Sequence, residues 1–386
     1  MKRWIAAFLL LVVGVVTLAQ EAQPPAPEQL SLDIREAIVR VPATVKDAFN
    51  KEIAGDLLVT TFRPQGTGPF PLVVMNHGRR SDTRAQDARP RFEGIARFFV
   101  RKGFAVAVPQ RLGYGVSASA GDPEDSMGCD KPRYQPAGEA AAAQVLAVLA
   151  HMRQQPDIDP KRLVIMGQSL GGFTSVAANA AKPEGLVAAI NFAGGHGGNP
   201  ELRPGNPCQA YLLENTFGTW GKTAAAPMLW IYTENDKYFS PKNSRAWFEA
   251  FTKAGGNAEY KLLPPFGDDG HTLLGRASDI WQPIVDEFLA RHGFITPGAM
   301  VKPAVTGPGK ALDASTVPLI SAKTRDETYA KYLAAKPPKA AAIGPGGRLG
   351  YATGDDALSN ALGFCQRRTG QACKLYAVDD DVVWVP

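Results

Sequence analysis

Gly167-Gln168-Ser169-Leu170-Gly171 places a serine between two glycines. The apolar run Leu163 to Met166 before it reads as a buried strand, and the small residues Gly172 to Ala181 after it as a helix. A serine on so sharp a strand-to-helix turn is held in strained backbone geometry. Side chains on its neighbours would collide with the adjoining strand and helix. The strain lifts the hydroxyl clear of the sheet. It also leaves the backbone N–H of Leu170 near a helix N-terminus, where developing negative charge is stabilised. This arrangement suits nucleophilic attack on a carbonyl.

A serine hydroxyl needs a base, and the base an orienting acid. The chain has five histidines. His271 stands in the polar loop Phe266-Gly-Asp-Asp-Gly-His271, after the last strand of the main domain and before its closing helix, where an imidazole can swing over the carboxyl edge of a sheet. Asp236, in Tyr232-Thr-Glu-Asn-Asp236, falls just past the preceding strand and is the expected acid, with Glu234 its rival. The order serine, acid, histidine is kept. The second oxyanion donor is expected from the loop after the third strand, His77-Gly78-Arg79-Arg80, as the backbone N–H of Arg79 beside a glycine that permits close approach. His77 itself reads as structural, and His196 as a loop residue near the pocket.

The elements that must position these residues alternate. Strands are expected at 38–45, 56–62, 71–75, 104–108, 163–166, 186–192, 227–232 and 258–263. Helices are expected at 91–102, 139–154, 172–181, 209–217, 240–254 and 275–292. Strands alternating with helices imply an α/β fold, a mainly parallel, doubly wound sheet covered on both faces.

The order Asn76-His-Gly, Gly-Gln-Ser169-Leu-Gly-Gly, Glu-Asn-Asp236 and Gly-His271 resembles the α/β-hydrolase superfamily. It is most similar to the dienelactone-hydrolase and prolyl-oligopeptidase-like esterases and acyl-peptidases, and Arg111-Leu-Gly-Tyr-Gly-Val-Ser117 resembles the R-G-x-G-x-S turn common after their fourth strand. The resemblance covers residues from about 35 to 292 and implies an α/β-hydrolase fold with a serine nucleophile. Dienelactone hydrolases proper use cysteine, so their lactone substrate does not carry over to Ser169.

Acyl transfer by such a set needs no metal and no organic cofactor. Two irregular segments, 110–138 and 196–226, overhang the expected sheet edge and should set specificity. Tyr114, Tyr134, Trp220 and Tyr238 are the candidate substrate-binding side chains, with a small-molecule carboxylic ester of a short or medium acyl or aryl acid as substrate. A peptidase alternative would need an acidic clamp for a substrate amine, for which Asp122, Glu124 and Asp125 are available. A third reading is a non-catalytic binding protein on a hydrolase scaffold.

The ends of the chain complete the organisation. Lys2 and Arg3 followed by the apolar run Ile5 to Leu18 read as a signal peptide, cleaved after Ala19, and imply export to the periplasm or medium without stable membrane insertion. Residues 20–34 read as a proline-rich spacer, 35–294 as the catalytic domain, 295–335 as a linker and 336–386 as a small C-terminal α/β unit. The 386 residues are 45% hydrophobic, enough for a sizeable core. Their formal charge of +5 falls to +3 once the leader with Lys2 and Arg3 is removed, and no basic block suggests nucleic acid. The sequence leaves oligomeric state open. Four cysteines fit an oxidising compartment, and of their three pairings Cys129–Cys208 and Cys365–Cys373 are favoured. No C-x₂-C pair or neighbouring histidine supports zinc.

Overall fold

A computed structural model describes residues 30–80, 82–294, 312–354 and 357–384. The expected signal peptide and most of the spacer lie outside the described residues.

Eight strands form the main sheet: β1 (Ala37–Lys46), β2 (Glu52–Phe62), β3 (Phe70–Asn76), β4 (Ala105–Gln110), β5 (Ile158–Gln168), β6 (Leu186–Phe192), β7 (Met228–Thr233) and β8 (Ala258–Leu263). Their order is β1-β2-β4-β3-β5-β6-β7-β8. β2 runs antiparallel to both β1 and β4, and all the other neighbours are parallel. This is the α/β-hydrolase architecture. β3, β4, β6, β7 and the second half of β5, from Leu163, read as largely apolar runs because both faces are covered. One face packs on α2 (Tyr134–Met152), α3 (Leu170–Ala180), α4 (Ala210–Gly221) and α5 (Pro241–Lys253), through Val145, Phe173, Phe217 and Trp247. The other packs on α1 (Glu93–Arg101) and on a helix that follows the short α6 (Leu273–Arg276), namely α7 (Ser278–Arg291), through Phe98, Phe99, Trp281 and Phe288.

Two expected boundaries move. α2 begins at Tyr134 rather than 139, because Pro136 lies in the first turn, where its missing N–H costs nothing. Gly138 sits inside that helix because a Cβ there would lie 2.5 Å from the Trp220 ring. The spacer also ends sooner than expected. Ile34 is buried in the core and Asp33 pairs with Arg97, so 31–34 form a folded turn.

Towards the C-terminus, α8 (Ala322–Thr324) and α9 (Ala330–Ala334) lead into β9 (Lys339–Gly344), β10 (Arg348–Thr353), α10 (Ala357–Thr369), β11 (Lys374–Val378) and β12 (Asp381–Val382). They build a separate four-stranded antiparallel sheet, ordered β10-β9-β11-β12. Residues 339–353 form a hairpin folded at Pro345-Gly-Gly347, with both glycines at positive φ. The segment expected as linker is folded from 312 onward, because Tyr329 and Tyr332 bury their rings against this sheet. Helix α10 meets the folded turn at 31–34, where the Asp33 N–H donates to Gln366 Oε1 at 3.1 Å.

Both favoured disulfides are present: Cys129–Cys208, with Cα atoms 5.1 Å apart, and Cys365–Cys373, at 6.1 Å. Among the described residues, no helix is long and apolar enough to cross a membrane.

Candidate active site

Ser169 closes β5 and caps α3, with φ 57° and ψ −124°. An L-residue reaches that conformation only under constraint. Its neighbours show why the motif needs glycine. A Cβ on Gly167 would lie 2.3 Å from the Gly171 carbonyl oxygen, and one on Gly171 would lie 2.1 Å from that of Asn76. The strand-to-helix turn and the end of β3 are thus pressed together with no room for a methyl group. The Asn76 side chain ties the same strands by donating Nδ2–H to the Met166 carbonyl at 3.1 Å.

His271 follows β8 in the turn that leads to α6. The Asp269 carboxylate accepts the His271 N–H at 3.0 Å, and Gln168, next to Ser169, donates to the His271 carbonyl. The ring Nδ1 lies 3.0 and 3.1 Å from the two carboxylate oxygens of Asp236. Asp236 is buried at the end of β7, and its Oδ1 also accepts the N–H groups of Tyr238 and Phe239 at 2.8 and 2.9 Å. Tyr238 stacks on the imidazole, with ring centres 4.1 Å apart. Ser169, His271, Gly78, Arg79 and Tyr238 line one cavity of about 490 Å³. Of the two acids weighed for the site, Asp236 is the one bonded to His271.

The loop after β3 abuts the serine: a Cβ on Gly78 would lie 3.3 Å from Ser169 Cβ. His77 is buried, with Nδ1–H donating to the Gly78 carbonyl at 2.7 Å and Nε2 accepting the Arg111 N–H at 3.2 Å. Burial, and the Arg111 guanidinium beside it, hold its pKa well below the usual imidazole range. It is a neutral structural histidine. His196 is likewise buried, with its pKa lowered by burial and by Arg79 to about 4.

Not every expected substrate residue reaches the cavity. Tyr238 does. Tyr114 touches it from behind, fully buried, its hydroxyl donating to Glu124 at 2.9 Å. Tyr134 is a correction: it starts α2, is buried, and donates its hydroxyl to the Cys208 carbonyl, so it braces the disulfide segment instead. Trp220 is another. It faces inward from α4 and packs on Phe173 and Phe217 in the core. The acidic clamp is also dispersed. Glu124 is buried against Arg111 at 2.5 Å, and Asp122 pairs with Arg79 at 2.6 Å and Arg84 at 3.1 Å. Asp125 lines a second cavity beside Ser169. The sequence pattern did not single out Gln168 as the link to the histidine loop, or Arg203 and Asn199, which line a second cavity around Ser169. Their neighbours in the chain carry no periodicity that would have marked them.

Among the described residues, no group of three or more His, Cys, Asp or Glu side chains is arranged to hold a metal ion.

The sequence model of the X-Pro dipeptidyl-peptidase (S15) family matches residues 55–205, which include Ser169 but not Asp236 or His271. Among solved structures, the chain is similar to a puromycin-hydrolyzing peptidase from Mycobacterium tuberculosis, with 17% identity over 72% of this chain and 42% of that one, and a TM-score of 0.49. It is similar to an acylaminoacyl peptidase from Pyrococcus horikoshii, with 15% identity over 68% and 43%, and a TM-score of 0.47. An esterase from Pyrococcus furiosus shares 14% identity over 69% of this chain and 96% of its own, with a TM-score of 0.46. The chain spans under half the length of the two peptidases. No curated protein matches the sequence.

Proposed function

We propose that this α/β-hydrolase is an exported serine hydrolase that cleaves carboxylic esters through an acyl-enzyme. The observation that carries the reading is that Ser169 and His271 share one cavity, while His271 Nδ1 is bonded to buried Asp236. Ser169 attacks the carbonyl and His271 takes its proton. Asp236 holds the imidazole in the tautomer with Nε2 free to act and stabilises the imidazolium. The N–H groups of Leu170, at the start of α3, and of Arg79 receive the oxyanion. His271 then protonates the departing alcohol, and water repeats the sequence on the acyl-enzyme.

A peptidase reading is favoured by the S15 match over 55–205. Against a requirement for a free substrate amine stands the use of Asp122 and Glu124 by Arg79, Arg84 and Arg111. Turnover of p-nitrophenyl esters against aminoacyl-anilides separates the two. Labelling by a fluorophosphonate tests the common chemistry: folded protein that leaves Ser169 unlabelled sinks both and favours a binding role. Export is supported by the two disulfides and by the leader-like first 19 residues, and recovery of the shortened chain outside the cytoplasm tests it.

A further inference from the structure

The space around Ser169 has two lobes. The first is lined by His271 and Gln168. The second, about 390 Å³, shares Ser169, Arg79 and Tyr238 with it and adds Leu170, His196 and Arg203, but not His271. In acyl transfer the imidazole hands its proton to the leaving group. The leaving group therefore belongs in the lobe that His271 lines, and the acyl part in the other.

The acyl lobe holds an unmatched cation. The Arg79 charge is met by Asp122 through two hydrogen bonds of 3.0 and 2.6 Å. Arg203 differs: it is half-buried, its Nε is shielded from solvent without a hydrogen-bond partner, and among the described residues its guanidinium makes no ion pair. Among the described residues, no other titratable group of the lobe forms an ion pair with it. Asp125 is exposed and uses Oδ1 to accept the Met127 N–H at 2.9 Å. His196 bonds through Nε2 to the Glu124 carbonyl at 3.2 Å, and with a pKa of about 4 it is uncharged at neutral pH. The Arg203 backbone is pinned by a bridge to Asn199, whose Oδ1 also accepts the N–H groups of Glu201 and Leu202 at 3.1 and 2.8 Å. Cys208, in the same segment, is tied to Cys129. A guanidinium that is partly dry, carried on a pinned backbone and without an ion pair among the described residues calls for a planar anion, and a carboxylate matches its fork.

We propose that Arg203 anchors a free carboxylate in the acyl part of the substrate, so that the preferred esters are monoesters of dicarboxylic acids. The proposal rests on the acyl-transfer reading of Ser169. The ester C–O bond breaks, water supplies the new oxygen of the acyl carboxyl group and a proton to the alcohol, and the carboxylate on Arg203 passes through unchanged.

The test compares p-nitrophenyl hydrogen adipate with the same ester capped as its methyl ester. The intact protein should prefer the free carboxylate by about 10- to 100-fold in kcat/KM, the scale of a charge-assisted pair. Arg203→Gln should abolish that preference and Arg203→Lys restore part of it. Equal turnover of the two esters by the intact protein overturns the proposal, as does an Arg203→Gln protein that keeps the preference. Should Arg203→Gln not fold, inhibition of p-nitrophenyl butyrate turnover by free adipate and by adipamide decides the matter in the intact protein: much stronger, competitive inhibition by adipate supports Arg203, and equal inhibition overturns it. Loss of all ester turnover together with absent fluorophosphonate labelling would instead strike at the reading of Ser169.

Discussion

His271 and Asp236 meet at one imidazole nitrogen, Nδ1, which lies 3.0 and 3.1 Å from the two carboxylate oxygens. The carboxylate is itself held by the N–H groups of Tyr238 and Phe239, so it cannot turn away without losing both. That leaves Nε2 as the nitrogen free for chemistry on the side of the cavity.

On this geometry Ser169→Ala and His271→Ala should each lower kcat on a p-nitrophenyl ester by about 10⁴-fold or more, and Asp236→Asn somewhat less. Steady-state kinetics on folded variants checks this. An Asp236→Asn protein with unchanged kcat would show that the pair has no catalytic role.

Two glycines near Ser169 should respond differently to alanine. At Gly171 the new Cβ would lie 2.1 Å from a backbone oxygen, which cannot move without distorting β3, so Gly171→Ala should not yield folded protein. At Gly78 the Cβ would lie 3.3 Å from Ser169 Cβ and 3.8 Å from its Oγ, a tight but survivable contact. Gly78→Ala should fold with nearly the same Tm and lose about 10- to 100-fold in kcat, because a small misplacement of the nucleophile is costly. Circular dichroism melts beside ester kinetics separate a folding defect from a catalytic one.

The contrast shows what a one-dimensional reading can see. The eight main strands were legible because each is an apolar or alternating run bounded by Gly, Pro or polar residues, and Ser169, Asp236 and His271 because each follows the end of such a run. Tyr134 and Trp220 were misread as cavity residues because an aromatic in a stretch rich in Gly and Pro looks exposed, whereas tertiary packing drew both inward. Glu124 shows the same blindness with the opposite chemistry: an acid at a polar loop tip proved fully buried, because its partner Arg111 stands 13 residues away across a turn. Arg203 left no trace at all, since only the folded loop shows that its shielded Nε has no hydrogen-bond partner among the described residues.

The disulfide Cys129–Cys208 joins the two segments that overhang Ser169 and closes 79 residues of chain, against 8 for Cys365–Cys373. By loop entropy alone the first is worth about 4.5 kcal/mol and the second about 2.5 kcal/mol. Cys129→Ser with Cys208→Ser should therefore lower stability more than the other double variant and should also raise KM, because it frees the loop that carries Arg203. Urea unfolding and ester kinetics read the two effects, and an unchanged KM would separate the bridge from the site.

Arg111 and Glu124 form a fully buried ion pair at 2.5 Å, with Tyr114 and Gln144 also donating to Glu124 at 2.9 and 3.2 Å. Glu124→Ala leaves a buried guanidinium without its counter-charge, so stability should fall by about 3–5 kcal/mol. Glu124→Gln keeps an acceptor and should fall by less. Chemical denaturation ranks the two, and equal losses would mean that packing rather than charge governs this position.

Acid should unfold the protein through two histidines that the fold keeps neutral. His77 has its pKa held well below 6.5 by burial and by Arg111, and His196 has its own lowered to about 4 by burial and by Arg79. Below the ordinary imidazole pKa of 6.5 the unfolded chain takes up protons at both positions and the folded chain does not, so the equilibrium tilts toward unfolding. Each site should cost about 1.4 kcal/mol per pH unit, starting near pH 6.5 and, for His196, ending near pH 4. Above pH 6.5 neither contributes, because both states are then uncharged there. His196→Gln keeps a donor for the Glu124 carbonyl while removing the titration, so its Tm should fall less steeply over this range than that of the intact protein. Parallel melts from pH 7 to pH 4 would refute the assignment.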